Sequence, residues 1–331
     1  MARVFSGIQP SGELHIGNYL GAVQNWVQLQ HQHDCLFSIV DLHAITQPYD
    51  VATLAQRTLD MAVGLFAAGL DAEKCVVFVQ SHVAEHSELS WLLTIVTPLG
   101  ELERQTQFKD KSQRQESIPA GLLNYPILQA ADVLLYKAGL VPVGEDQVQH
   151  LELMREITRR WNARFGGGQR FFPEPQPLLT KTKRVLGLDG QTKMSKSLGN
   201  TINLFDPPET IWEKLRPAAT DPARKTRKDP GNPDICNIFT IHQGFSSPAT
   251  QVDVAHQCRT AGWGCLDCKR VLADNMIAAL TPIRERAEAL RREPEGLVEL
   301  LRAGAAKARA LARVTIAEVR ERMGFLGAQE T

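Results

Sequence analysis

The sequence predicts an α/β fold: a doubly wound parallel sheet over about residues 1–200, then a helical region over 201–331. Three observations predict it. Short β-type runs, "ARVFSGI" (2–8), "CLFSIVD" (35–41) and "KCVVFVQS" (74–81), alternate with stretches of helical periodicity. The second and third runs are almost continuously apolar, as strands covered on both faces are. The chain then ends in "GLVELLRAGAAKARALARVTIAEVRERMGF" (296–325), one long amphipathic helix rich in Ala, Arg and Glu.

Taken in order, the first strand stops at the turn "QPSG" (9–12), where Pro and Gly punctuate the chain. "HIGNYLGAVQNWVQLQ" (15–30) repeats apolar residues at three- and four-residue intervals, the pattern of one helix face. The strand 35–41 leads to a helix at 51–70, and the strand 74–81 follows. "GLLNYPILQAADVLLYKA" (121–138) reads as helical, and "VPVGEDQVQHLELMREITRRWNARF" (141–165) turns into a further helix. Beyond the loop "GLDGQTKMSKSLGN" (187–200), prolines mark helix starts in "DPPETIWEKL" (206–215) and "TDPARK" (220–225). The boundary between the two regions falls near residue 200, with no repeats and no low-complexity linker.

Apolar residues make up 43% of the 331 and charged ones 22%, values of a globular protein with a substantial core. Polar residues and proline break every long apolar run, so no membrane-spanning helix is expected. The N-terminus enters a strand without the features of a signal peptide, and a cytoplasmic setting is expected. Net charge is zero but unevenly spread. Residues 1–150 hold 8 Lys and Arg against 16 Asp and Glu; the remainder hold 29 against 21. A basic second half suits contact with a polyanion.

Open α/β sheets bind ligands at the carboxyl ends of their strands. There the first strand delivers "SGIQPSGELHIGN" (6–18), whose glycines admit close approach of a ligand to the backbone. His15 and Asn18 start the next helix, where they either donate to phosphate oxygens or simply cap it. Far along the chain stands "KMSKS" (193–197), flanked by Gly187 and Gly190. Its two lysines and two hydroxyls suit a triphosphate whose charge must be neutralised as a bond breaks. Neither GxxxxGK[ST] nor GxGxxG occurs, so this is another route to a nucleotide.

The two motifs, in this order, resemble the HIGH-like and KMSKS hallmarks of class I aminoacyl-tRNA synthetases, with their Rossmann-like catalytic domain. "FSGIQPSGELHIGNYLGA", "GELERQTQFKDKS", "YPILQAADVLLYKAGLVPVGEDQVQH" and "KMSKSLGN" are together similar to bacterial tryptophanyl-tRNA synthetases over essentially the whole chain. The resemblance implies a homodimeric enzyme, with 100–110 near the subunit contact. It implies that tryptophan is activated with ATP and Mg²⁺ and passed to tRNA(Trp), and that residues 201–331 bind the anticodon, their last helix packing back on the catalytic domain. By the same resemblance Gln9, Pro10, Ser11, Gly17 and Asn18 line the ATP site. Gly144, Glu145 and Asp146 hold the nucleoside, and Val185 packs near adenine. Lys111, Lys193 and Lys196, with Met194, Ser195 and Ser197 of the same loop, meet the pyrophosphate, so that the lysines, His15 and Asn18 carry the catalysis.

Indole offers a donor-only N–H, so a pocket selecting it needs an acceptor. The family position for that acceptor is Asp132, a carboxylate inside an apolar helical run, where a buried charge needs a partner. Phe5, Val141 and Val143 would wall the ring, Tyr125, Gln147 and Gln9 would reach the amino-acid end, and His43 would share the pocket. Gln129 stands where many tryptophan enzymes carry Met. The resulting Tyr-Gln-Asp pattern is similar to tyrosyl-tRNA synthetases, which keeps tyrosine open as an alternative substrate. Phe5 argues against it, since it offers no hydroxyl to a phenol. A synthetase-like RNA-binding protein without catalysis is a third reading, opposed by the intact "HIGN" and "KMSKS".

"CRTAGWGCLDC" (258–268) concentrates three of the six cysteines, and Cys236 joins them in the spacing C-x21-C-x6-C-x2-C. In a cytoplasmic setting a structural disulfide is disfavoured, and a redox dithiol would sit at a βαβ turn. Structural zinc usually takes two close pairs, whereas four unevenly spaced thiolates hold many iron–sulfur clusters. The spacing also resembles a subset of bacterial tryptophanyl-tRNA synthetases carrying a 4Fe–4S cluster. Cys236, Cys258, Cys265 and Cys268 are therefore expected to bind a 4Fe–4S cluster, with zinc as the alternative.

Overall fold

The computed structural model describes residues 1–112, 117–144, 148–179, 185–195 and 198–327, with the side chains of 110–112, 148 and 179 excepted. Its centre is a five-stranded sheet in the order β3-β2-β1-β4-β5: β1 Arg3–Ile8, β2 Asp34–Ile39, β3 Val76–Val79, β4 Leu140–Val143 and β5 Gln176–Leu179. All the pairings are parallel. Phe5 lies opposite Leu36, Leu36 opposite Val76, and Val4 opposite Leu140. The order reverses between β1 and β4, the point at which such sheets open a crevice at their carboxyl ends.

Two of the strands were not legible as such. Pro142 in β4 and Pro177 in β5 interrupt the apolar pattern, and β5 lies at the sheet edge, where a residue lacking its N–H is tolerated. The helical stretch 15–30 is also less regular than its periodicity suggests. Ile16–Asn18 is α-helical, Tyr19–Val23 is a π-turn, and Gln24–Leu29 returns to α. The helices Val51–Ala67, Ala120–Leu134 and Val148–Phe165 lie where the periodicity puts them.

Past residue 200 the described chain is helical, through Pro208–Leu215, Asn237–Phe245, Pro248–Arg259, Cys265–Arg292 and Pro294–Arg322. "TDPARK" is not a helix start. The Asp221 carboxylate accepts from the backbone N–H of Ala223 and of Asn232, which folds 221–232 into a loop. One apolar core joins the two halves, with Val4, Ile16 and Phe37 in the same cluster as Met276, Leu280 and Leu301. The last helix lies on β3. Gly304 approaches it so closely that a Cβ there would sit 1.9 Å from the carbonyl oxygen of Val77. Farther along, Arg320 pairs with Glu88 at 2.6 Å.

Because backbone cannot yield as a side-chain tip can, Gly304→Ala is expected to lower stability by about 1–3 kcal/mol. Urea unfolding checks this; an unchanged midpoint would mean that the helix is not seated on β3 as described.

Candidate active site

The carboxyl ends of four strands deliver most of the residues singled out from sequence, together with Gln80. β1 runs into Gln9, Pro10 and Ser11, with Gly12 at φ 101° closing the turn in a conformation that favours glycine. β2 is followed by the Asp41–Ala44 helix with His43, β3 by Gln80, and β4 by Gly144. Gln9, Ser11 and Gly144 are exposed, while Pro10 is buried.

The two distant motifs lie against each other. The backbone N–H of Ile16 donates to Ile202 O at 2.9 Å, and that of Leu204 donates to Leu14 O at 2.8 Å. Gly17 faces Met194, and a Cβ at Gly17 would lie 3.3 Å from that of Met194. His15 and Asn18 cap each other, the His15 Nδ1 accepting the Asn18 N–H and the Asn18 Oδ1 accepting the His15 N–H.

Asn200 fixes the lysine-bearing loop from inside. Its Oδ1 accepts the Ser195 N–H at 2.8 Å, and its Nδ2 donates to Asp189 Oδ2 and Thr192 Oγ1. Asp189 also accepts from the Thr192 hydroxyl and from the backbone N–H groups of Gln191 and Thr192, and these hydrogen bonds, that of the hydroxyl first, hold its carboxyl well below the usual range. A Cβ at Gly187 would fall 2.0 Å from Asn200 Nδ2, so only glycine fits there. Asn237 clasps the loop's other strand, donating to Leu186 O and Gly187 O. Met194 and Val185 are buried in the core and Lys193 is exposed. Lys196, Ser197, Glu145, Asp146 and Gln147 lie outside the described residues, as does the Lys111 side chain.

Asp132, on the Ala120–Leu134 helix, is 2% exposed and fully engaged with polar partners. Its Oδ1 accepts from Gln80 Nε2 at 2.6 Å and from His86 Nδ1 at 2.7 Å; its Oδ2 lies 2.8 Å from His43 Nε2. A carboxylate has about four acceptor positions, so Oδ2 retains one. Burial pushes the carboxyl up, but His43 and the hydrogen bonds from His43 and His86 outweigh it and hold the group well below the usual range. Phe5 stacks on Tyr136 with centroids 5.5 Å apart and shares a core cluster with Val141 and Val143. Tyr125, Gln129 and Asp132 follow one helix face, Tyr125 buried and Gln129 half-buried. The Tyr125 hydroxyl lies 3.2 Å from Gln107 Oε1 and 3.0 Å from His150 Nε2, and burial pushes it up to about 12.

Gln80, His86, Tyr136 and His150 were not singled out from sequence. Single polar residues in apolar stretches, they carry a signal only once their burial is known. The one available hint is the run of polar residues in "VFVQSHVAEH" (77–86), Gln80 and His86 among them, directly after a strand.

Over residues 1–281 the chain matches the family described as class I tRNA synthetases (W and Y). It belongs to that family. A tryptophan–tRNA ligase of Deinococcus radiodurans is 56% identical, covering 98% of this chain and 99% of the relative. One from Parasynechococcus marenigrum is 47% identical, with 98% of each covered. A crystal structure of the Campylobacter jejuni tryptophanyl-tRNA synthetase, complexed with ADP and tryptophan, superposes with a TM-score of 0.85 at 36% identity. It covers 98% of this chain and 100% of that one. The Archaeoglobus fulgidus tyrosyl-tRNA synthetase, at 23% identity and TM-score 0.70, shares the fold. No described helix is long and apolar enough to cross a membrane.

In this synthetase the four cysteines 236, 258, 265 and 268 line one small pocket of about 20 Å³ in the C-terminal helices. Arg224 lies over it, with Nη1 3.8 Å from Cys265 Sγ and Nη2 donating to the carbonyls of Arg227 and Trp263. Burial, then the neighbouring thiols of Cys236, Cys258 and Cys265, push Cys268 up to about 12. Among the described residues no three His, Cys, Asp or Glu side chains gather closely enough to hold a single metal ion. Cys35 and Cys75 are buried near the sheet, and both are raised by burial.

The ionised Asp132 sets a pH dependence. Its folded-state value lies below the unfolded one of about 3.9. The stabilisation is therefore complete above about pH 4 and is lost as pH falls toward the folded value. Wild type should exceed Asp132→Asn in stability at pH 6, and the gap should narrow in denaturant titrations below about pH 4. A constant gap would mean that the carboxylate is not ionised in the folded protein.

Proposed function

We propose that the chain activates L-tryptophan with ATP and Mg²⁺, giving tryptophanyl-adenylate and pyrophosphate, and then transfers the tryptophanyl group to tRNA(Trp). The observation that carries this reading is the contact of the "HIGN" and "KMSKS" segments at the carboxyl ends of the strands, on the side where Gln80 and His43 meet Asp132. In the first step the tryptophan carboxylate attacks the α-phosphorus, and the bond to the pyrophosphate oxygen breaks. No protein nucleophile is needed; placement and charge neutralisation supply the rate.

The backbone around Gln9–Ser11, Gly17 and Gly144 offers close approach to ATP, with Asn18, Glu145, Asp146 and Val185 around the nucleotide. Lys193, Lys196 and Lys111 neutralise the departing pyrophosphate. Asp132 accepts the indole N–H on its remaining Oδ2 position, between Phe5 and the valines of β4. Gln9, Tyr125, Gln129 and Gln147 serve the amino-acid end. Phe5 gives a phenol nothing to bond, and a site built around one hydrogen bond can reject an analogue lacking it by about 10⁴–10⁵.

Exposed apolar residues support a homodimer. Trp91 (71% exposed) lies on the Glu85–Thr94 helix, Ile95 caps that helix four residues on, and Leu99 is exposed just beyond. The reading gives residues 1–200 to the catalytic domain and 201–331 to anticodon binding, in the cytoplasm.

The cysteine site is read as holding a 4Fe–4S cluster, with zinc as the alternative. All four thiols line one pocket, and their uneven spacing is of the kind that holds many such clusters. Gly231 supports the fit, since a Cβ there would lie 2.7 Å from Cys258 Sγ. Cys236, Cys258, Cys265 and Cys268 would hold the group. When bound it would supply four covalent links between otherwise separate helices and loops.

Pyrophosphate exchange tests the main reading: exchange with tryptophan and none with tyrosine is expected, and tyrosine alone would overturn it. Lys196→Ala should slow exchange by about 10²-fold while tryptophan affinity stays within twofold; collapse of tryptophan affinity would contradict the role given to the lysine. For the cysteines, anaerobic purification should yield iron and acid-labile sulfide, both lost in Cys265→Ser. Zinc without iron would refute the cluster.

A further inference from the structure

Asp132 has three side-chain donors around it, Gln80, His86 and His43. His86, on the Glu85–Thr94 helix, is fully buried. Its Nδ1 lies 2.7 Å from Asp132 Oδ1 and its Nε2 lies 2.7 Å from the Tyr136 hydroxyl. The carboxylate can only accept, so the His86 proton on that side belongs to Nδ1. A ring carrying that proton leaves Nε2 as the acceptor of the Tyr136 O–H. Burial, Asp132 and Glu85 raise the Tyr136 phenol well above its ordinary range, so it remains a donor.

We propose that Tyr136 and His86, with Gln80 beside them, are positioning residues for amino-acid selection: they lock the Asp132 carboxylate so that its one remaining acceptor position faces the indole N–H. The inference rests on Asp132 being the indole acceptor.

The bookkeeping of acceptor positions carries it. Gln80 and His86 fill both positions on Oδ1, and His43 fills one on Oδ2. Each donor is itself held. Gln80 Oε1 accepts the Leu42 N–H at 3.2 Å, at the start of the short helix that carries His43. His86 is enclosed by rings, with centroids 5.8 Å from Phe78 and 5.4 Å from Tyr136. Tyr136 also stacks on Phe5, so the device that aims the carboxylate and the expected wall of the indole pocket are one packed unit. Without the chain from Tyr136 through His86, the carboxylate would turn about its terminal torsion, which is intrinsically broad. The position on Oδ2 would then no longer be defined.

A substrate pair separates positioning from general support. Tryptophan and its benzothiophene analogue, in which sulfur replaces the indole N–H, differ only in the donor that Asp132 is to meet. In pyrophosphate exchange wild type should favour tryptophan in kcat/KM. Tyr136→Phe, which keeps the ring and removes the donor, should reduce that preference several-fold to about tenfold, chiefly through KM for tryptophan, with KM for ATP within twofold. His86→Leu should reduce it further. His86→Asn, whose amide replaces the Nδ1 donor, should restore most of it. Equal losses for both substrates, with an unchanged preference, would overturn the inference, and Tyr136→Phe decides the matter alone if His86→Leu does not fold. Wild type that uses both substrates equally well would refute Asp132 as the acceptor, and the relay with it. The two failures are thus told apart by the wild-type measurement.

Discussion

A carboxylate sealed inside a protein must be surrounded by donors, and in this synthetase that requirement organises one side of the crevice. Three elements that are distant in sequence each send one donor to Asp132: the helix after β2 sends His43, the end of β3 sends Gln80, and the next helix sends His86. An unpaired charge at that depth would cost several kcal/mol. The strand ends are therefore tied to the helix that carries Asp132 by a polar knot as well as by apolar packing. One acceptor position on Oδ2 is left over.

The opposite side of the crevice follows another logic. The lysine-bearing loop is shaped by hydrogen bonds within itself, through Asn200 and Asp189, and backbone hydrogen bonds join it to the "HIGN" segment. On the reading proposed above, the amino-acid side is buried around Asp132, whereas the nucleotide side is exposed at Gln9, Ser11 and Lys193. That division suits a reaction in which one substrate must be discriminated and the other chiefly needs its charge neutralised.

Much of this was legible beforehand, for physical reasons. "CLFSIVD" and "KCVVFVQS" announce strands because both faces of a parallel sheet are covered. "LVPV" and "QPLL" do not, because proline hides their register. "KMSKS" stands out because clustered lysines with glycines are chemically conspicuous. Gln80, His86 and Tyr136 are ordinary residues whose meaning depends on being brought together from 80 to 136, which no local pattern encodes. Asp221 is a similar case, since its two backbone partners at 223 and 232 turn a proline-marked helix start into a loop.

The seat of the last helix has a bearing on biosynthesis. β3 lies at the sheet edge, and Gly304, which presses on its backbone, comes more than 200 residues later in the chain. During translation this strand leaves the ribosome long before its cover does. Over that interval the nascent polypeptide carries an open β-edge, a template on which unfinished copies can pair with one another.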